Sequence, residues 1–181
     1  MIDFKYIEFL YDDLDSPKWH GVSFQLNKED KEISLIEFIE RYQDWFKNII
    51  STLDNGSIWI VNHDKSDLDW FPNEENNLTS IRTLFKQNSI SSTFKGALIF
   101  TKTDLPKFSK DLISYPYAVF NEDGLFYMNL DISHSEFPFI IKILDHLNID
   151  LLSTDKELLR EIVNENSSDV FIMKEYRGTS L

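Results

Sequence analysis

Four side chains, His20, His63, His134 and His146, have an ordinary pKa near neutrality, and cysteine is absent. No two of these histidines sit three or four residues apart, the spacing that puts two imidazoles on one helix face as metal ligands. His63 has the most suggestive neighbours. It stands in Asn62-His63-Asp64, directly after an apolar run, and Asp67 follows four residues on. An imidazole beside a carboxylate can help hold a metal or move a proton, which makes a metal-assisted hydrolase using His63 and Asp64 one reading. A polar residue leaving a strand end is the other, since catalysis needs a second and third positioned group. The glycines Gly21, Gly56, Gly96, Gly124 and Gly178 are isolated. Neither a phosphate-cradling loop, a dinucleotide fingerprint nor a nucleophile elbow can be built from them. Asp150, Asp155, Glu157 and Glu161 could pair for acid–base work, and equally suit a solvated helix face. No catalytic residue, metal or cofactor is assigned on these grounds.

The Asn-His dipeptide after a strand is similar to one in metallophosphoesterases. Here Val61 replaces the preceding glycine, and the upstream Asp-bearing motifs are missing. His63 and Asp67 also match a His-x-x-x-Asp acyltransferase spacing, without its following glycine. The segment that follows is more distinctive. Asp64, Asp67, Asp69, Glu74 and Glu75 surround Trp70 and Phe71, and Pro72 keeps the chain extended or turned. A calcium loop is excluded because the required glycine and terminal Glu are misplaced. Carboxylates around an exposed ring would suit a basic protein surface, the acids steering and the ring anchoring. In the alternative, Trp70 and Phe71 fold back as core and the acids face water.

The elements that would position these groups follow from periodicity. Val22, Phe24 and Leu26 alternate with polar residues as a half-buried strand does. Ser34 and Glu37 have capping-box spacing, and Leu35 to Leu53 repeats apolar residues every three or four positions, which predicts a long amphipathic helix. Ile58 to Val61 and Ala97 to Phe100 read as buried strands, and Leu78 to Gln87 as a helix. Thr103 is placed to cap a short helix carrying Leu105, Phe108, Leu112 and Ile113. Tyr117–Phe120 and Leu125–Leu130 flank Asn121-Glu122-Asp123-Gly124 as a hairpin would. Ser133 and Glu136 repeat the capping-box spacing ahead of Phe137, Ile140, Ile141, Leu144 and Leu147, which predicts a helix there. Thr154 and Glu157 open another helix, Val170 to Met173 is a terminal strand, and Tyr6 to Tyr11 is a first strand or short helix. This order predicts an α/β (α+β) fold: a mixed β-sheet packed with amphipathic helices in a single-domain sandwich. One domain spans 1–181, with an ordered core to 176 and a loose tail from Arg177 to Leu181.

Composition bounds the function. The chain has 181 residues, 42% hydrophobic and 14% aromatic, enough apolar mass for a packed core without disulfides. Its net charge of −13 repels phosphate backbones and anionic membrane surfaces, so neither nucleic acid nor membrane is an expected partner. A cationic protein would be steered toward it. No apolar stretch approaches the ~20 residues of a bilayer span. The N-terminus lacks a basic lead into an apolar run, so the default expectation is cytoplasmic.

In size, acidity and Asn/Ile/Lys-rich composition, over its whole length, the chain resembles the immunity proteins of bacterial toxin systems, contact-dependent growth inhibition included. The resemblance implies a non-enzymatic toxin inhibitor that binds a cognate toxin domain, often a nuclease, and blocks its active site or its access to substrate. It carries over no particular residues. The partner-binding residues expected from charge and aromaticity are Asp64, Asp67, Asp69, Trp70, Glu74 and Glu75. A nucleic-acid mimic, with carboxylates spaced like phosphates, is a further alternative.

Overall fold

A computed structural model describes residues 19–27, 33–53, 56, 58–64, 68–71, 77–120, 128–176 and 181. Among the described residues seven strands form one sheet: β1 His20–Leu26, β2 Ile58–His63, β3 Leu98–Thr101, β4 Leu130–His134, β5 Phe139–Ile143, β6 Asn148–Ser153 and β7 Phe171–Glu175. Four α-helices are described: α1 Leu35–Thr52, α2 Thr79–Gln87, α3 Ser109–Ala118, entered through a 3-10 turn at Leu105–Phe108, and α4 Lys156–Asn166. The class is α+β, as the residue pattern implies.

The strand order is β3-β2-β4-β5-β6-β1-β7, and every pairing is antiparallel, where a mixed sheet was expected. The reason lies in the crossovers. The helical connections β1–α1–β2 and β6–α4–β7 join strands of like direction, as in a parallel sheet, but other strands sit between the joined pair. Alternating strand and helix in the sequence therefore does not mean parallel neighbours.

The long helix forms as its spacing predicts. Ser34 Oγ accepts from Glu37 N at 3.2 Å, and Phe38, Tyr42, Trp45, Phe46, Ile49 and Ile50 are buried along one stripe. They meet Val22, Phe24, Ile132, Phe139, Ile141 and Leu151 of the sheet in the main core. Tyr42 donates its hydroxyl to Phe24 O at 2.5 Å, fixing α1 to β1. Helix α2 has no capping side chain of its own. Asp111 of α3 supplies it from outside, its Oδ2 accepting from Ser80 N at 2.7 Å and Ile81 N at 3.0 Å.

Several expectations are corrected. The segment predicted as a helix from Ser133 is the end of β4, a turn and β5, with β6 completing a meander. Phe139–Ile143 is buried throughout, so an apolar run packed on both faces matches a helical pattern by chance. Tyr117 and Ala118 end α3 and are not a hairpin arm; residues 121–127 of that hairpin lie outside the described residues. Thr103 caps nothing, and Asp155 rather than Thr154 caps α4, accepting from Glu157 N and Leu158 N at 3.1 and 3.0 Å. The segment Tyr6 to Tyr11 and, apart from Leu181, the expected tail are likewise outside the described residues.

Candidate functional site

The loop leaving β2 begins at His63, which is 1% exposed. Its Nε2 lies 2.8 Å from the Tyr115 hydroxyl, and that hydroxyl donates to Trp70 O. A phenol has one proton to give. With that proton on Trp70 O, the Tyr115 oxygen accepts from His63 Nε2–H. Burial holds the imidazole neutral, its pKa lowered to about 4. His63 is thus a structural donor inside the core, braced by the Trp70 ring at 4.7 Å.

The same link explains Trp70. Its ring is fully buried, with Nε1 donating to Gly96 O at 2.7 Å, and its backbone N–H bonds to Phe94 O at 3.2 Å. Phe71 is buried under Arg82, whose guanidinium sits 4.4 Å over the ring. The ring expected to anchor a partner is therefore core. Asp64 is partly buried and accepts from Asn129 Nδ2 at 3.0 Å; Asp69 is partly buried with Lys95 Nζ 3.8 Å away. Asp67, Glu74 and Glu75 lie outside the described residues. Among the described residues, no three His, Asp or Glu side chains converge as metal ligands.

A second polar assembly has no counterpart in the sequence reading. Across the sheet, register places Asn62, Asp131, Lys142, Asp150 and Ser23 side by side on β2, β4, β5, β6 and β1, and Lys174 of β7 ends the row. The first five are buried. Lys142 Nζ is 2.8 Å from the Asp131 carboxylate, and Asn148 Nδ2 donates to Ser23 Oγ at 3.0 Å and Asp150 Oδ1 at 2.9 Å. Burial raises the Asp150 pKa against those hydrogen bonds and the pull of Lys142. Burial together with the Asp150 and Asp131 carboxylates pushes the Tyr176 phenol up to about 12. The row could have been found from three isolated charges in apolar runs, Leu130-Asp131-Ile132, Ile141-Lys142-Ile143 and Ile149-Asp150-Leu151. Chemically it is a buried seam of alternating charge bridged by side-chain hydrogen bonds.

His134 is fully buried beside Trp59 and Phe137; its Nδ1 accepts from Glu136 N and Phe137 N at 3.1 and 3.0 Å. It forms the β4–β5 turn. The exposed charge is distributed unevenly. Residues 79–110, around α2 and β3, hold six cations and one carboxylate, whereas residues 145–175, around α4 and β7, hold seven carboxylates besides the buried Asp150, and three cations. At the latter end a cleft of about 440 Å³ is lined by Glu40 and Asp44 of α1, Glu165 of α4, Arg41, Trp45 and Phe171. No protein-family model, curated protein or solved structure matches the chain.

Proposed function

We propose that the chain is an immunity-type inhibitor that captures a basic bacterial toxin domain and masks its working surface. One observation carries this reading: among the described residues, carboxylates outnumber cations around α4 and β7, and Glu40, Glu161 and Glu165 have no ion-pair partner there. Such a face raises the encounter rate with a cation-rich protein and weakens as salt screens it. The buried state of Trp70 moves the expected contact away from a ring on the 64–75 loop and toward the α1–α4 carboxylates. The loop acids Asp64 and Asp69 then act as flanking charge.

The test is capture of the product of the adjacent gene, measured by calorimetry and stopped-flow. A one-to-one complex is expected, with an association rate falling at least tenfold between low and physiological salt. Reversal of Glu40, Asp44 and Glu165 to lysine should slow association more than reversal of Asp64 and Asp69. No complex, or a complex indifferent to both reversals, would reject the reading.

A further inference from the structure

Among the described residues the sheet ends on β3 and β7, and these two edges differ in charge. Edge strand β3 is bracketed by Lys95 and Lys102, and its Ile99 is 51% exposed. Edge strand β7 is bracketed by Asp169 and Glu175, and its Ile172 and Met173 are 43% and 45% exposed. We infer that these edges bind each other between copies, so that the chain self-associates head to tail through a sheet continued from β3 of one copy to β7 of the next.

Strand direction sets the geometry. Six successive antiparallel pairings across seven strands leave β3 and β7 running the same way. A second copy placed by translation and sheet twist therefore offers β7 parallel to β3, with both helix layers on one side. The faces agree as well. Cross-strand partners run from Ile99 through Ile60, Ser133, Ile140 and Leu152 to Gly21, and Ile172 pairs with Gln25, four residues on from Gly21. Two-residue alternation puts Ile99 and Ile172 on the same face. Setting them opposite each other aligns Phe100 with Met173 and Lys102 with Glu175, and brings Asp169 beside Lys95. An apolar cleft of about 570 Å³ next to β3, lined by Leu84, Ile90, Phe94, Leu98 and Ile99, offers room for the incoming apolar side chains.

The same brackets act against the other pairings. Two β3 edges would oppose lysines with lysines, and two β7 edges would bring their acidic flanks together, so symmetric dimers are disfavoured. A heterologous contact that does not close produces open chains of copies. The contact is separate from the proposed toxin capture, and either can fail without the other.

Sedimentation velocity of the purified chain tests the inference. At ~50 mM salt the weight-average mass should rise with concentration past that of a dimer, and at ~500 mM salt it should return to the monomer. Lys95→Glu with Lys102→Glu, and separately Asp169→Lys with Glu175→Lys, should each be monomeric with unchanged circular dichroism. Mixed in equal amounts, the two double variants should associate again, because each then presents the other with opposite charge. Ile99→Asp should also be monomeric. A wild-type chain that stays monomeric at low salt, association that strengthens with salt, or a mixture of the double variants that stays monomeric would overturn the proposal.

Discussion

His63 shows how a residue suited to catalysis can be committed to structure. Its Nε2–H goes to Tyr115, whose own proton goes to the Trp70 carbonyl, so two side chains and a backbone oxygen tie the end of β2 to α3 and to the acidic loop. The cost falls on the charged form. The folded pKa is about 4 against an ordinary 6.5, so the neutral imidazole stabilises the fold fully above pH 6.5. That stability is lost as pH falls toward 4. Linkage puts the loss at about 2.5 kcal/mol between pH 7.5 and 4.5. His63→Gln retains an N–H donor without titrating. Urea unfolding at the two pH values should show the wild-type chain losing more stability than the Gln variant by about that amount, and equal losses would mean that His63 does not titrate with unfolding. Sequence could place His63 at a strand end but not say which way it points, because the partner Tyr115 is far along the chain in a helix read only through its apolar residues.

At the scale of elements, α1, α2 and β2 were legible because each presents one apolar pattern bounded by a cap or a turn, whereas β3, read as a buried strand, is a sheet edge whose Ile99 and Thr101 are exposed. The β4–β5–β6 meander was not. Ser133 and Glu136 imitate a helix start, yet Glu136 N and Phe137 N bond to His134 Nδ1 in a strand turn. The turn into β6 is equally opaque: Leu147 takes a left-handed φ of 57°, where glycine is usual, and Tyr117 holds it by accepting from Leu147 N at 2.8 Å and donating to Leu144 O at 2.7 Å. Misreading this meander as helix also hid the Asp131–Lys142–Asp150 row. Lys142 there separates two buried carboxylates on its neighbouring strands. Lys142→Met should destabilise the chain by about 3 kcal/mol at pH 7, since both acids lose their shared counter-charge. Removing the lysine takes away a charge that opposes the raised Asp150 pKa, so the penalty should shrink on acidification as that acid protonates. Unfolding curves at pH 7 and pH 5 check it; a penalty independent of pH would show that lysine packing rather than charge holds the row.

At the scale of the whole molecule, charge is placed where it costs stability. Helix α4 ends without a basic residue in its last turn and carries Glu165 there, against the negative end of the helix dipole. Glu161 stands four residues before it, a like-charge pair on one helix face. Neither carboxylate has an ion-pair partner among the described residues, whereas Glu157 of the first turn is held by Arg160 at 2.5 Å. A sequence shaped for stability alone would put lysine at 165. Glu165→Lys should therefore stabilise the fold by about 0.5–1 kcal/mol, through the dipole and through a new pair with Glu161. The same change removes a carboxylate from the α1–α4 cleft and adds a cation between Glu40 and Asp44 and their partner. Capture of a basic toxin domain should weaken and its association rate should fall, even as the midpoint of thermal unfolding rises. Opposite movement of stability and binding is the signature of a charge kept for a partner. If both quantities rise together, the acidic end of α4 is ordinary solvated surface and the receiving face lies elsewhere.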